Sequence, residues 1–154
     1  MSVALVGFGL ALAALLSALA VIDARRMILP DWLNALLAAT GCAQALTLGQ
    51  PSPQEALVGG LVAGALLLAV AKGFRAVRGR DGLGLGDVKL AAAGAIWTGL
   101  PGIGPALLLA AGSCVATLAC RAATRGLDPS EPFAFGPFLA LGVFGAWLLV
   151  HAAV

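Results

Sequence analysis

The sequence predicts an all-α polytopic membrane protein, a single domain over residues 1–154 with six transmembrane helices. Hydrophobic residues make up 61% of the chain and charged residues only 10%, with a mean hydropathy of +1.03. Soluble domains carry about 25% charged residues. The charges lie between long apolar runs, and one six-span arrangement puts every basic residue on the same side. An ordinary soluble protein is therefore excluded.

The first three predicted spans are apolar runs that end in charged or turn-rich segments. Residues 1–22 carry no charge and precede Asp23, Arg25 and Arg26. No basic segment precedes this run, so we expect a retained membrane helix rather than a cleaved signal peptide. The second and third spans cover about 32–48 and 56–71, separated by the turn-rich "LGQPSPQE".

Residues 90–120 contain no charge, and a run of 31 residues is too long for one span of about 20. The segment 99–105, "GLPGIGP", is expected to divide it because proline interrupts helical hydrogen bonding. The fourth span is then a short helix from Asp87 to Thr98, which starts at the loop "GLGLGD". We expect this glycine loop to line a wet cleft. A last apolar run covers 134–153.

The distribution of basic residues orients this arrangement. With six spans all of them lie on one side, which the positive-inside rule makes cytoplasmic, so both termini are predicted to lie on the non-cytoplasmic side. A single span over 90–120 would put Lys89 and Arg121 on opposite sides. The nine basic residues are Arg25, Arg26, Lys72, Arg75, Arg78, Arg80, Lys89, Arg121 and Arg125.

Small residues and tryptophans suggest how the helices pack. Gly60 and Gly64 form a GxxxG pair in the third span, and such residues let helices approach closely. We expect the same of Gly94, Gly112, Gly142 and Gly145. The three tryptophans, Trp32, Trp97 and Trp147, are compatible with anchoring at the membrane interface.

Two aspartates stand at the predicted cytoplasmic boundary, Asp23 at the end of the first span and Asp87 at the start of the fourth. If they meet, they form an aspartyl dyad that shares one proton, because two like charges a few ångströms apart cannot both ionise cheaply. The ionised carboxylate can then activate water for attack on a peptide carbonyl. Two alternatives stay open: Asp87 caps its helix, and Asp23 pairs with Arg25 or Arg26.

Three segments resemble the bacterial prepilin peptidases, the type IV leader peptidases. "GLGLGDVKLAAAGAIWTG" is similar to the GxGD segment of that family. "VIDARRMILPDWLNALL" is similar to the segment around its first aspartate, and "EPFAFGPFLALG" to its C-terminal Pro-Phe-Gly-Pro-Phe stretch. They occur in the family's order, with similar gaps, over nearly the whole chain.

The resemblance implies a GxGD aspartyl endopeptidase of the bacterial inner membrane, multi-pass, with its active site facing the cytoplasm. Such an enzyme removes the basic leader of type IV prepilins or pseudopilins, after a glycine and before the pilin's apolar helix. Asp23 and Asp87 carry over as catalytic aspartates. Gly84 and Gly86 carry over as the GxGD glycines, expected to leave room for an extended substrate backbone.

Several other expectations follow for ligands and partners. Asp81, Asp128 and Glu131 are candidates for attracting the basic leader, and Asp81 is taken as substrate-binding. Lys89, two residues after Asp87, should point away from it on a helix.

The cysteines form no CxxC pair. We expect a prepilin and membrane lipids as partners, and no metal, cofactor or nucleic acid; the sequence does not predict an oligomeric state. Family members with N-terminal CxxC motifs also methylate pilins, and here we expect no methylation.

Two other functions compete with a peptidase. Acids within membrane helices also mark ion pathways, so a small proton-coupled transporter is one alternative. It would predict internal repeats with matching acids, and no convincing repeat relates the two halves of the sequence. The second alternative is a non-catalytic assembly factor with the same fold, against which the two aspartates argue.

Overall fold

The computed structural model describes residues 2–79, 82–125 and 133–152, and in these ranges the chain is helical with no strand. Three helices are long and apolar enough to cross a membrane: Val3–Arg26, Pro53–Arg78 and Leu85–Thr124. The number of crossings, and the side on which the termini lie, stay predictions. The five helices described are α1 (Val3–Arg26), α2 (Asp31–Leu48), α3 (Pro53–Arg78), α4 (Leu85–Arg125) and α5 (Gly136–Ala152).

The helix ends follow from local capping. Ser52 and Glu55 form a capping box at the start of α3, where the Ser52 hydroxyl accepts from Glu55 N and the Glu55 carboxylate accepts from Ser52 N. Gly49 and Gly79 end α2 and α3 in the left-handed conformation. α2 ends at Leu48, as predicted, whereas α3 continues to Arg78 and includes most of the basic segment that was expected to form a loop after residue 71.

α4 is broken at Gly99, whose φ of 65° and ψ of −171° are not helical. We name residues 85–98 α4N and residues 100–125 α4C. Ala91 and Leu107 line the same small cavity, although a continuous helix would hold them about 24 Å apart. The chain therefore reverses at Gly99, inside the predicted 99–105 break. Pro101 lies at the start of α4C, where a missing N–H costs little.

Gly99→Ala is expected to lower the free energy of unfolding by about 2 kcal/mol. This φ/ψ region is essentially restricted to glycine, and an added Cβ would lie 2.9 Å from Pro51 Cβ. Thermal unfolding in detergent micelles measures the effect. Gly104→Ala, also in α4 but with no atom within 4 Å of the added Cβ, is the matched control. Equal unfolding temperatures for the two variants would show that the chain reversal at position 99 does not require glycine.

Most of the glycines predicted to bring helices together do lie at close helix contacts. A Cβ on Gly60 would lie 2.8 Å from the Ile96 side chain, and one on Gly94 would lie 2.5 Å from Val143. Gly142 packs directly on the Ala106 carbonyl. Gly112 was predicted to behave similarly, but that prediction is wrong, because no atom of the described residues of another helix lies within 4 Å of its Cβ position.

Two of the three tryptophans belong to the core rather than to an interfacial belt. Trp97 and Trp147 are buried, and their indole N–H groups donate to Leu37 O at 2.8 Å and to Gln44 Oε1 at 2.9 Å. The predicted anchoring role is therefore wrong for these two, since the buried partners satisfy the indole N–H groups inside the bundle. Trp32 is exposed.

The bundle has two distinct ends. At one end, which we call the charged end, α1 and α3 finish and α2, α4 and α5 begin. Gly136 contacts Asp23 there, and Lys89 contacts Asp31. At the opposite end, Ser2 and Ala152 line one cavity together. Both candidate catalytic aspartates therefore lie at the charged end, away from the two ends of the described chain.

Candidate active site

Asp23 lies in the last turn of α1, and its side chain points into the bundle. The residue is only 6% exposed, whereas Arg25 and Arg26 are exposed. Its Oδ2 accepts a hydrogen bond of 2.9 Å from the backbone N–H of Gly136. Among the described residues its hydrogen-bonding partner is thus backbone, not either neighbouring arginine.

Gly136 is the first residue of α5, so the Asp23 carboxylate lies at a helix N-terminus. The first N–H groups of a helix have no partner within it, and the helix dipole favours a negative charge there. A Cβ on Gly136 would lie 2.5 Å from Asp23 Oδ2 and 2.9 Å from its Cγ. Only glycine allows the backbone to approach this closely, so α5 holds the carboxylate in a defined position.

Asp87 lies in the first turn of α4N and is half-buried. Helix α4 begins at Leu85, and Gly84 O accepts from the backbone N–H groups of Asp87 and Val88. Asp87 is thus inside the helix rather than at its N-cap. Its Oδ1 is buried and has no hydrogen-bond partner among the described residues. A buried carboxylate oxygen without a partner is costly, and such groups occur at catalytic sites.

Asp23 and Asp87 both lie at the charged end of the bundle, in the last turn of α1 and the first turn of α4N. Their helices are not in direct backbone contact: no Cα atom of α1 lies within 8 Å of one in α4. Instead α5 packs against both helices, and Leu29, between α1 and α2, packs on Gly86. The two aspartates are therefore linked through α5 and Leu29 rather than through direct packing of their helices.

Such a pair can perform acid–base chemistry on a peptide bond. The Asp23 carboxylate receives a backbone hydrogen bond, whereas Asp87 Oδ1 has no donor in the described residues. One ionised carboxylate can accept a proton from water, while a protonated partner supports the developing oxyanion. Within the described residues no cluster of three or more His, Cys, Asp or Glu side chains could hold a metal ion.

The glycines of the motif have different surroundings. Gly84 is exposed, and a Cβ there would lie 3.3 Å from Asp87 Oδ2. Gly86 is half-buried, and a Cβ there would lie 3.0 Å from Leu29 Cβ. Gly86 therefore allows α4 to pack against the α1–α2 connection. A role of either glycine in substrate binding stays a prediction. The candidate substrate-binding residue Asp81, with Asp128 and Glu131, lies outside the described residues.

Lys89 points away from the aspartate pair and forms an ion pair with Asp31, with Nζ 2.6 Å from Oδ1. Lys89→Ala is expected to change the free energy of unfolding by less than about 1 kcal/mol, because both side chains are solvent-accessible and exposed pairs contribute little. A double-mutant cycle with Asp31→Ala, followed by thermal unfolding in detergent, measures the coupling. A coupling of several kcal/mol would show that the pair is shielded from water.

Two features of this end of the bundle were not identified from the sequence. Gly136 was identified only as part of the "EPFAFGPFLALG" segment, and its backbone contact with Asp23 was not predicted. Asn34, a polar residue in an apolar helix, is buried, and neither its Oδ1 nor its Nδ2 has a partner among the described residues. A buried amide without a partner is costly.

Comparison with known proteins identifies the family. The model of the type IV leader peptidase family matches residues 10–120. This chain belongs to the type IV leader peptidase family. Asp23 and Asp87 lie within the matched residues, and Gly136 lies beyond them.

Several prepilin leader peptidase/N-methyltransferases are similar to this type IV leader peptidase family member. The protein of Xanthomonas campestris pv. campestris is 35% identical over 138 residues, 88% of this chain and 47% of the relative. Those of Dickeya chrysanthemi and Pectobacterium carotovorum subsp. carotovorum are 40% and 38% identical, over 84% and 88% of this chain and 49% of each relative. The chain thus spans about half the length of these relatives. No solved structure matches it.

Proposed function

We propose that this protein is a membrane aspartyl endopeptidase that removes the basic leader peptide from type IV prepilins or pseudopilins. In this proposal Asp23 and Asp87 activate the attacking water. The observation that carries it is the pair of acids at one end of the bundle: Asp23 held by the N-terminus of α5, and Asp87 with a buried oxygen that has no partner. The relatives' names supply the substrate class.

Cleavage is proposed to take place at the cytoplasmic face of the inner membrane. The described basic side chains of α1, the end of α3 and the start of α4 lie at the charged end, together with both aspartates. Basic residues concentrate on the cytoplasmic side of membrane proteins. Gly84 and Gly86 are proposed to leave the substrate backbone room beside Asp87, and Asp81 to attract the basic leader.

The absence of methyltransferase activity is part of this proposal. The relatives are named both as leader peptidases and as N-methyltransferases, and this chain matches about half of each. In this proposal the two aspartates serve hydrolysis alone. Mass spectrometry of the cleaved pilin N-terminus distinguishes the cases, with an unmodified amine expected and an added methyl group contradicting the expectation.

Co-expression tests the main proposal. The chain is produced in a bacterial host together with a type IV prepilin, and the prepilin is followed by gel mobility and N-terminal sequencing. We expect loss of the leader after a glycine. Prepilins from several pilus systems are included, so that a narrow substrate range does not hide activity. Failure to shorten any of them would favour a transporter or an inactive assembly factor.

A further inference from the structure

Gln44 is a polar residue in the apolar helix α2, and it is fully buried. Its Nε2 donates to Trp97 O at 3.3 Å and to Gln50 O at 3.2 Å. Its Oε1 accepts from Trp147 Nε1 at 2.9 Å. A single amide therefore joins α2 to the end of α4N, to the segment between α2 and α3, and to α5.

The bond to Trp97 O follows from the break in α4. In a continuous helix this carbonyl would accept from the backbone N–H of residue 101, but that residue is Pro101, which has none. The helical conformation stops at Gly99, so Trp97 O is one of the carbonyls that a helix end leaves without an intrahelical donor. Hydrocarbon cannot supply a donor either, and Gln44 Nε2 does.

Both helices that Gln44 joins lead without a break to the candidate active site. α4N extends about 15 Å from Asp87 to Trp97, and α5 extends about 16.5 Å from Gly136 to Trp147. The two helices run in the same direction, since both begin at the charged end. A movement of α4N along its axis would displace Asp87, and a movement of α5 would displace the Gly136 N–H that holds Asp23.

Apolar packing alone does not fix how far α4N and α5 extend past each other. Gly94 of α4N faces the Val143 side chain of α5, and such a contact has no preferred direction. Within lipid, moreover, no hydrophobic effect favours one helix arrangement over another. A buried polar group is best known for specifying register, because its hydrogen bonds require one geometry.

We infer that Gln44 is a positioning residue for the proposed cleavage: it fixes the axial register of α4N against α5, and with it the placement of Asp87 relative to Asp23. The inference rests on the proposed function. It also rests on the lack of backbone contact between α1 and α4, which makes α5 a principal link between the two aspartates.

Gln44→Met tests this role, because methionine is similar in length and cannot donate to Trp97 O. We expect the maximal rate of prepilin cleavage in detergent to fall about tenfold to 100-fold, the cost of misplacing a reacting group by about an ångström. The prepilin concentration for half-maximal cleavage should stay unchanged, because the substitution lies far from the acids. Trp147→Phe removes only the bond to α5 and should slow cleavage in the same way.

Thr40→Val is the matched control on α2, because its hydroxyl bonds to carbonyls of α2 itself. Its cleavage rate should equal that of the unmodified chain. All rates are divided by the folded fraction, which is measured by thermal unfolding in the same detergent. A normal maximal rate in folded Gln44→Met or Trp147→Phe, or an equal loss in the control, would overturn the positioning role.

A distance measurement tests the register independently of cleavage. Spin labels replace Lys89, near the charged end of α4N, and Leu149, near the opposite end of α5, and pulsed electron paramagnetic resonance measures their separation. We expect Gln44→Met to shift the mean separation by about 1.5 Å or more, one residue of helix rise, or to widen its distribution. Thr40→Val should do neither. The cysteines first replaced by alanine are Cys42, Cys114 and Cys120.

The two experiments separate this inference from the proposed function. Identical distance distributions in the unmodified chain and in Gln44→Met would overturn the inference, and cleavage by the unmodified chain would then leave the proposed function standing. A displaced register in a chain that cleaves no prepilin would support the placement of α4N by Gln44 and refute the peptidase.

Discussion

Asp87→Asn is expected to reduce prepilin cleavage by about 10⁴-fold, the loss typical when one member of a catalytic unit is removed. An asparagine has nearly the same shape and cannot take a proton from water. Asp23→Asn should have a similar effect, and its amide oxygen can still accept from Gly136 N–H. Because the two acids act together, the double variant should be no worse than either single variant. Initial rates of leader removal from purified prepilin in detergent measure all three.

Glu55→Gln is the matched control, a carboxylate-to-amide change at the opposite end of the bundle. Glutamine preserves the capping box with Ser52, so cleavage should stay near the level of the unmodified chain. Retained cleavage by Asp87→Asn or Asp23→Asn, in protein that unfolds at the usual temperature, would refute the aspartate pair. Strictly additive losses in the double variant would show that the acids act in separate steps.

Gly136→Ala is expected to lower the cleavage rate about 100-fold, the cost of misplacing a reacting group by about an ångström. The added Cβ would lie 2.5 Å from Asp23 Oδ2 and 2.9 Å from Cγ, so either the carboxylate or the start of α5 must move. The Gly136 N–H bond to the carboxylate is then lengthened or lost. The maximal rate should fall far more than the affinity for prepilin, because the change lies directly at the acids.

Gly7→Ala serves as the control for this variant, since it lies on the same helix as Asp23 and an added Cβ there has no atom within 4 Å. Its cleavage rate should equal that of the unmodified chain. If Gly136→Ala cleaves prepilin at the normal rate, the contact between α5 and Asp23 has no part in catalysis. Equal losses in both variants would indicate a general sensitivity of the bundle to added methyl groups.

Much of the fold could be predicted because the signals were local. The break in α4 lies at Gly99, inside the segment identified from its prolines, since proline and glycine act on the backbone next to them. Hydropathy likewise identified the apolar helices. The tryptophans were assigned wrongly because a tryptophan in an apolar helix suits an interface and a core equally well. Trp147 is satisfied by Gln44, 103 residues earlier, a pairing that no local pattern contains.

The candidate site was predicted only in part, because some of its contacts join residues that are far apart in the sequence. Asp23 and Asp87 stood out because a charge beside an apolar run is expensive. What holds Asp23 in place is a backbone N–H 113 residues away, and backbone donors leave no signature in side-chain identity. Asn34 shows the reverse case, in which the residue was visible in the sequence but its lack of partners emerges only when its neighbours are known.

The contact between Gly136 and Asp23 also has a consequence for biosynthesis. Asp23 is synthesised before its backbone partner, which follows 113 residues later, roughly 10 s at bacterial elongation rates. A chain whose synthesis has not reached Gly136 therefore contains both aspartates but lacks the backbone N–H that positions Asp23. For the proposed peptidase, we expect such chains to be inactive until α5 has been inserted.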